Sequence, residues 1–253
     1  MNKEWYKEIQ EHALRPHELH GQMGEEGAWA WIFKHIAPVH KFCVEFGCSD
    51  PTSYHSGSTT RWLVDECKWN YLWMDGNAKY NTKGARERAV KQHWIDADNI
   101  ADLFKMYDVP TNLDLLSIDI DYNDWWVFRS ILLNGYRPSV VCFEFNLWVD
   151  PRSSVSVAYD PCAKKDKTVY YGASLPAFKK LGSEFGYSLV HVFRDAGACV
   201  DGKDVVIPGN NGVLIRSDLL PCVVDVEPTI FHSKSYLEPY KKLDHMMRKW
   251  VEV

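Results

Sequence analysis

The amino-acid sequence predicts an α/β fold built around a mainly parallel sheet. Short apolar runs alternate along the chain with segments whose apolar residues recur at helical spacing, and this alternation indicates βαβ units. The run at 113–120 closes on Asp119 and Asp121, and a later run closes on Glu144 and Asn146. Because open α/β sheets bind ligands at the carboxyl ends of their strands, we expect these four side chains to gather at one crevice of an enzyme.

The composition limits the classes of protein to consider. A chain of 253 residues, 46% of them hydrophobic, fits one large domain with a sizeable core. Lysine and arginine number 29 against 34 acids, with no long basic run, so we expect no nucleic-acid partner. No apolar run approaches the roughly 18 residues that span a bilayer, and the charged N-terminus is unlike a signal peptide. With seven scattered cysteines, we expect a cytoplasmic protein without a membrane partner. Its oligomeric state is left open, a homodimer included.

Seven apolar runs are predicted to form strands. The first is broken by Gly47, the second closes on Asp75, and the fourth and fifth are the runs that end in acids and an amide. Their short length and flanking turn residues favour strands over helices. The predicted strands are 41–46, 71–74, 92–95, 113–120, 139–145, 187–193 and 212–216.

The segments between these strands are predicted to be helical. In the first of them Trp29, Ile32 and Ile36 fall on one face, which is the spacing of an amphipathic helix. Ser58 or Thr59 is the expected N-cap of the next. The predicted helices are 24–37, 58–68, 79–92, 97–107, 123–134 and 174–185, with a helix-prone tail at 236–250.

The chain is expected to form one main domain with helical additions at both ends. The segment 147–170 lacks periodicity and contains Pro151 and Pro161. This predicts a long loop, and because such loops are often binding elements, we expect a lid. The expected parts are a helical lead-in at 1–40, the α/β domain at 41–220 and a helical tail at 221–253.

A series of motifs in a fixed order adds a family resemblance. They are GEEG at 24–27, FCVEFGCSD at 42–50, STT at 58–60, KW at 68–69, MDGN at 74–77, DLLSIDIDYND at 114–124, YRP at 136–138, FEFN at 143–146, GASL at 172–175 and NGVLI at 211–215. This ordered set, over about residues 21–220, resembles the FkbM-like branch of the S-adenosylmethionine-dependent methyltransferases.

The resemblance implies a Rossmann-like, doubly wound methyltransferase fold. Its sheet would have seven mostly parallel strands, helices on both faces, and a reversed, hairpin-like edge formed by the last two strands. It also implies methyl transfer from S-adenosylmethionine, and we expect the acceptor to be a hydroxyl of a small molecule or a sugar. Pro51 and Tyr122 stand where the family has glycines. These departures favour an alternative, a binding protein that keeps the fold without transferring a methyl group.

The resemblance places the cofactor at the ends of the first three strands. It implies that the loop with Glu45, Gly47 and Ser49 wraps the methionine part. Asp75 would accept hydrogen bonds from ribose hydroxyls, as acids at this position do in other doubly wound sites, or else lie in a surface turn. The residues after the third strand would contact adenine or, alternatively, cap the next helix. The predicted cofactor-binding residues are Glu45, Gly47, Ser49, Asp75, Asn77, Asp96, Ala97 and Asp119.

The acids that follow the fourth and fifth strands are the candidate catalytic residues. Asp121 or Glu144 would take the proton of the acceptor hydroxyl, with Asp119 beside them. Asp119 and Asp121 alternate along one strand end, so we expect both on the same side. The alternatives are that one acid caps the following helix or pairs with Arg129 or Arg137.

The same residues suggest a metal site and an acceptor site. Oxygen ligands suit Mg²⁺ or Mn²⁺, and some catechol-type methyltransferases hold such a metal with two acids and an asparagine. The predicted ligands are Asp119, Asp121, Glu144 and Asn146, and a metal-dependent hydrolase is a further alternative. The predicted acceptor contacts are Asn146, Tyr122 and Trp148. Core packing is the other interpretation for the tryptophans around the site, Trp125, Trp126 and Trp148.

Overall fold

The computed structural model describes residues 4–13, 24–48, 58–77, 90–166, 168–200, 203–221 and 248–253. The helices are α1 (Glu4–Ala13), α2 (Glu25–His35), α3 (Arg61–Asp65), α4 (Ile100–Met106), α5 (Asp124–Leu133) and α6 (Leu175–Glu184). The strands are β1 (Phe42–Phe46), β2 (Asn70–Asp75), β3 (Val90–Gln92), β4 (Leu115–Ile118), β5 (Val140–Glu144), β6 (Val155–Ser156), β7 (Tyr187–Val200), β8 (Lys203–Arg216) and β9 (Val251–Glu252).

Seven of these strands form one sheet in the order β3-β2-β1-β4-β5-β8-β7. The neighbours from β3 to β5 pair in parallel. β8 runs antiparallel to β5, and β7 runs antiparallel to β8. The predicted seven-stranded, mostly parallel sheet with a reversed edge is therefore confirmed. The strand order reverses direction between β1 and β4, and ligands of open α/β sheets bind at such a point.

Helices cover both faces of the sheet, so the fold is doubly wound as predicted. Cys43 of β1 and Cys142 of β5 belong to a buried cluster with apolar residues of α1, α2 and α3. Val44 and Phe143, one residue further along the same strands, belong to a second cluster with residues of α4, α5 and α6. Successive side chains of a strand point to opposite faces, and both faces here are apolar, which explains why the strands appear as unbroken apolar runs.

Four predicted elements differ in the structure. Residues 90–92 form β3 instead of the end of a helix, because they pair with β2; residues 78–89 of that predicted helix lie outside the described part. β3 also ends at Gln92, where the predicted third strand begins. The predicted helix 58–68 is reduced to α3. Ser58 and Thr59 donate hydrogen bonds to the buried carboxylate of Glu45 instead of capping the helix. In the predicted tail helix, 248–250 are not helical and the remainder lies outside the described residues.

The predicted loop 147–170 contains more order than the sequence indicates. β6 lies within it and pairs antiparallel with β9. Three side-chain N–H groups then bind main-chain carbonyl groups of the loop. Trp126 Nε1 donates to Val157 O (2.9 Å), Asn123 Nδ2 to Asp160 O (2.8 Å) and Trp94 Nε1 to Pro161 O (2.6 Å). We call residues 157–166, which these contacts hold against the body of the domain, the strap.

Two further observations concern membrane-spanning helices and cysteines. Within the described residues, no helix combines the length and the apolar character that crossing a bilayer requires. Among the described cysteines, Cys43, Cys67, Cys142 and Cys162 are free thiols.

Candidate functional site

A crevice of about 880 Å³ lies at the carboxyl ends of the parallel strands, where the strand order reverses. Its walls come from the ends of β1 to β5 and the residues that follow them, from β8, and from the strap. The lining residues are Gly47, Asp75, Gly76, Asn77, Gln92, His93, Trp94, Ile95, Asp119, Ile120, Asp121, Tyr122, Asn123, Glu144, Ala163, Lys164, Lys165, Asn210 and Asn211.

Gly47 lies where β1 and β4 come together at this crevice. Its φ is 70°, in the left-handed region that side chains disfavour. A Cβ at this position would lie 1.6 Å from the carbonyl oxygen of Asp119. A residue with a side chain therefore cannot replace Gly47 without moving the end of β4. The predicted place of Gly47 in a tight turn that lines the site agrees with this geometry.

Asp75 and Asn77 both lie at the crevice, at the end of β2. Asp75 Oδ1 accepts a hydrogen bond of 2.6 Å from the amide of Asn77, which fixes the carboxylate in the turn. Partial burial raises the pKa of Asp75, and the nearby charge of Asp121 adds to this, while the bond from Asn77 opposes it. Asp75 therefore lies in a turn, as one interpretation predicted, and also lines the crevice.

Glu45 does not reach the crevice, although the resemblance implied that it lines the cofactor loop. Its side chain, 3% exposed, accepts hydrogen bonds from Ser58 Oγ (2.7 Å), Thr59 N (2.9 Å), and Thr60 N (3.2 Å) and Oγ1 (2.5 Å). Burial raises the pKa of Glu45, and these four bonds counteract it. The carboxylate therefore joins β1 to the start of α3. Ser49, the third residue of the predicted loop, lies outside the described residues.

Asp96 and Ala97 are also placed away from the crevice. Asp96 Oδ1 accepts from the amides of Asp98 and Asn99, each at 2.9 Å. Asn99 Oδ1 accepts in return from the amide of Asp96 at 3.1 Å. These bonds form the turn before α4, which is close to the alternative interpretation as a helix cap. The carbonyl of Ala97 accepts from Ser130 Oγ at 2.6 Å.

The residues that line the crevice after β3 are instead His93, Trp94 and Ile95. Sequence reasoning missed them because it placed the end of the third strand at residue 95, three residues beyond the end of β3. Trp94 is 45% exposed, and a Cβ on Gly76 would lie 3.0 Å from its ring. The aromatic ring therefore packs over the turn that follows β2.

Asp119, Asp121 and Glu144 do come together, as predicted. One carboxylate oxygen of each lies within 4.8 Å of the others. The reason differs from the predicted one, because β4 ends at Ile118 and Asp121 has a φ of 69°. A left-handed turn, and not the alternation of a strand, brings Asp121 to the cluster. Glu144 is the last residue of β5 and accepts a bond of 2.5 Å from Asn210 Nδ2.

Two of the alternatives, the helix cap and the pairing with Arg137, involve other residues. The acid that begins α5 is Asp124, whose Oδ1 accepts from the amide of Ile120 at 2.8 Å. Arg137 donates to the carbonyl groups of Leu132 and Tyr136, at 2.6 and 2.8 Å. Neither alternative therefore removes Asp119 or Asp121 from the crevice.

Burial and mutual repulsion raise the pKa values of Asp119, Asp124 and Glu144. The pKa of Asp119 rises to about 7, through burial and then the charges of Asp124 and Asp121. The pKa of Asp124 rises to about 6, again chiefly through burial. Burial, then Asp119 and Asp124, raise the pKa of Glu144 well above its ordinary value. In the described part of the chain, no hydrogen-bond donor reaches Glu144 Oε2 or Asp124 Oδ2.

Lys165 of the strap is a member of the site that sequence reasoning missed. Its Nζ forms an ion pair with Asp121 and lies 3.8 Å from Glu144 Oε1. The nitrogen is also 4.1 Å from the centroid of the Tyr171 ring. The available signal was the adjacent pair Lys164 and Lys165 within the predicted lid.

Two of the three predicted acceptor contacts lie elsewhere. Asn146 Nδ2 donates to the carbonyl groups of Val169 (2.8 Å) and Tyr171 (2.7 Å), and its Oδ1 accepts from the amide of Trp148 (2.8 Å). Neither Asn146 nor Trp148 lines the crevice. We therefore withdraw Asn146 from the proposed metal ligands, since its amide holds the loop. Tyr122 does line the crevice.

Three comparisons with known proteins were made. No family model matches the chain, and no curated protein matches it. Among solved structures, magnesium protoporphyrin IX methyltransferase from Synechocystis PCC 6803 with bound SAM is similar at 12% identity and a TM-score of 0.39, over 78% of this chain and 79% of that one. A SAM-dependent methyltransferase from Anabaena variabilis ATCC 29413 is similar at 8% identity and a TM-score of 0.43, over 84% and 93%. At these values neither likeness supports a statement about ligand or activity.

Proposed function

We propose that this protein is an S-adenosylmethionine-dependent methyltransferase that acts on a hydroxyl group of a small molecule or a sugar. The observation that carries the proposal is the crevice of about 880 Å³ at the switch point of the sheet. On its first side are Gly47 and Asp75, at the ends of β1 and β2. On its other side are the carboxylates of Asp119 and Asp121, after β4, and of Glu144, the last residue of β5. A nucleotide-like cofactor fits the first side, and an acceptor fits the second.

The proposed reaction is a direct displacement at the sulfonium methyl group, so the protein mainly brings donor and acceptor into line. A general base then takes the hydroxyl proton. Glu144 suits this role better than Asp121, because burial raises the pKa of Glu144 well above its ordinary value and a more basic carboxylate takes a proton more readily. Asp121 is engaged by Lys165. Asp119 lies between the cofactor side and the acceptor side of the crevice.

The proposal also includes a divalent cation bound by Asp119, Asp121 and Glu144. Asp119, Asp121 and Glu144 supply three carboxylates, which suit Mg²⁺ or Mn²⁺, and such an ion would polarise the acceptor oxygen. The ammonium group of Lys165 lies against two of these carboxylates, so an ion would have to displace it. If the ion is required, chelation abolishes transfer and added Mg²⁺ or Mn²⁺ restores it.

Two alternatives from other classes remain as outcomes of the test. A binding protein with the same fold would bind S-adenosylmethionine but transfer no methyl group. A metal-dependent hydrolase would not bind S-adenosylmethionine, and the position of Lys165 argues against it. Calorimetric titration with S-adenosylmethionine and S-adenosylhomocysteine, followed by a turnover assay on hydroxylated acceptors, separates the three.

The Asp75→Ala variant tests the cofactor side of the proposal. We expect it to weaken S-adenosylmethionine binding by about 1–3 kcal/mol, the cost of leaving the ribose hydroxyls without an acceptor. Asp96→Ala is the matched control, because Asp96 lies in the turn before α4 and away from the crevice. Calorimetry on both folded variants measures the difference. Equal affinity for Asp75→Ala and the wild type would return Asp75 to a role in the surface turn.

A further inference from the structure

Residues 248–253, which we call the C-terminal segment, contact the chain at both ends of the strap. The strand β9 lies in this segment and pairs antiparallel with β6, which immediately precedes the strap. At the other end, Arg248 Nη1 lies 2.9 Å from Oδ2 of Asp166, the last residue of the strap, and the two side chains form an ion pair. One short segment therefore joins the two ends of the strap.

Tyr170 connects the strap to the C-terminal segment through its hydroxyl group. The hydroxyl oxygen accepts a hydrogen bond of 3.1 Å from the amide of Ala158 in the strap. The same hydroxyl donates a hydrogen bond of 2.9 Å to the carbonyl oxygen of Lys249. The guanidinium carbon of Arg248 lies 4.4 Å from the centroid of the tyrosine ring. Tyr170 is 3% exposed, so its ring and its hydroxyl are both held by neighbouring groups.

The ring of Tyr170 belongs to a small apolar cluster that extends to the crevice. Tyr122 and Val157 are the other buried members, and Trp250 packs against them. The ring centroid of Tyr170 lies 6.1 Å from that of Tyr122 and 4.9 Å from that of Trp250. Tyr122 lines the crevice, Val157 begins the strap, and Trp250 belongs to the C-terminal segment. This cluster is separate from the two large clusters that cover the faces of the sheet.

The strap is thus held by two kinds of contact. Side chains of the domain body donate hydrogen bonds to its carbonyl groups, whereas Tyr170 accepts a hydrogen bond from one of its amides. Residues 163–165 of the strap line the crevice, and Tyr170 does not. Any effect of Tyr170 on a bound molecule must therefore pass through the strap or through Tyr122.

We propose that Tyr170 is a positioning residue of the acceptor site, whose hydroxyl, bound between Ala158 and Lys249, holds the strap and Tyr122 in place at the crevice. The C-terminal segment then contributes to the acceptor site without touching the acceptor. The consequence for an acceptor rests on the proposed function, whereas the effect on the strap does not.

The first test is amide hydrogen exchange in the full chain carrying Tyr170→Phe, which removes the hydroxyl and keeps the ring. We expect the strap amides, that of Ala158 among them, to exchange roughly tenfold faster, because two hydrogen bonds of ordinary net strength are lost. Tyr187→Phe is the matched control. Tyr187 is 2% exposed, and its hydroxyl donates to the carbonyl of Pro138 at 2.8 Å, away from the strap.

The amides of β4 are measured in each variant, because they report opening of the whole sheet. The inference is overturned if strap exchange is unchanged in Tyr170→Phe, if it rises no more than exchange in β4, or if it rises equally in Tyr187→Phe.

The kinetics of methyl transfer provide the second test. Tyr170→Phe should raise the acceptor KM by roughly threefold to tenfold while kcat stays within about twofold, the pattern expected when binding shared by ground and transition states is lost. A variant that merely folded less well would lower the apparent kcat and leave KM unchanged. An unchanged KM in an active variant with a loosened strap would also overturn the inference.

The two tests separate this inference from the proposed function. If the strap amides exchange faster but the wild type transfers no methyl group, the proposed function fails and the role of Tyr170 in holding the strap stands. If the wild type is active and neither strap exchange nor KM changes in the variant, the inference fails alone.

Discussion

Two glutamates near the carboxyl ends of β1 and β5 have similar burial and opposite surroundings. Glu45 in β1 is 3% exposed and Glu144 in β5 is 6% exposed. Glu45 accepts four hydrogen bonds from residues 58–60, so both of its oxygens are used. Glu144 accepts a bond from Asn210 on Oε1, whereas Oε2 is buried without a hydrogen-bond partner among the described residues.

The difference separates a structural acid from a candidate functional one. A buried carboxylate costs free energy unless hydrogen bonds or opposite charges compensate it. The site of Glu45 supplies this compensation from the chain itself. The site of Glu144 supplies it in part, through Asn210 and through the ammonium group of Lys165 at 3.8 Å from Oε1, and leaves Oε2 buried without a hydrogen-bond partner among the described residues. Unsatisfied buried polar groups are rare in folded proteins and often mark functional sites.

The largest expected effect concerns the cluster of Asp119, Asp121 and Glu144. Glu144→Gln should lower turnover by about 10²–10⁴-fold, because the amide cannot take the acceptor proton. Asp121→Asn should do the same if Asp121 is the base instead. Cofactor affinity, measured by calorimetry, should stay near the wild-type value, as should the free energy of unfolding. If both variants keep wild-type turnover and chelators have no effect, these acids are structural and the comparison fails.

Glu45→Gln should show the reverse behaviour. The amide nitrogen cannot accept the bonds that one carboxylate oxygen receives from Ser58 and Thr60. We expect the free energy of unfolding to fall by about 1–3 kcal/mol, the cost of buried donors left without an acceptor. Urea denaturation measures this, and turnover per folded molecule serves as the control. A variant that keeps its stability but loses cofactor affinity would restore the cofactor role that the resemblance implied.

The smallest effect is a pH dependence of stability that originates in Asp119. Burial and neighbouring charges raise the pKa of Asp119 from 3.8 to about 7 in the folded protein. The folded state then holds a proton that the unfolded state releases, so this contribution is full below pH 3.8 and is lost as the pH rises through about 7.

Asp119→Asn should therefore flatten the decline in unfolding free energy between acidic and neutral pH. One pKa unit corresponds to about 1.4 kcal/mol, and we expect a change of about 1 kcal/mol or more between the two ends of this range. Denaturation curves at several pH values compare the variant with the wild type. If the free energy of unfolding depends on pH in the same way in both proteins, Asp119 is not the cause of the pH dependence.

The sequence predicts the sheet well because continuous apolar runs bounded by turn residues have few other interpretations. β3 is the instructive exception. Lys91 and Gln92 are polar and exposed, so no apolar run marks the strand, and pairing with β2 determines it instead. Tertiary pairing of this kind overrides local preference.

Part of the site can also be predicted from the sequence, and part cannot. Acids at strand ends identify Asp75, Asp119 and Glu144, because topology alone brings strand ends together. The sequence cannot say whether the oxygens of an acid are already used, and this explains the outcome for Glu45. Lys165 is 44 residues from Asp121 and lies in a segment without periodicity, so no pattern links the two.

The anchoring of the strap has a consequence for changing the acceptor of the proposed reaction. Trp126, Asn123 and Trp94 donate to carbonyl oxygens of the strap. Every residue type has a carbonyl oxygen, so these three anchors do not depend on which side chains the strap carries. Residues 163 and 164, which line the crevice, could therefore be varied in a library while the strap keeps its path. The strap offers a region where new acceptor preferences could be selected without rebuilding the sheet.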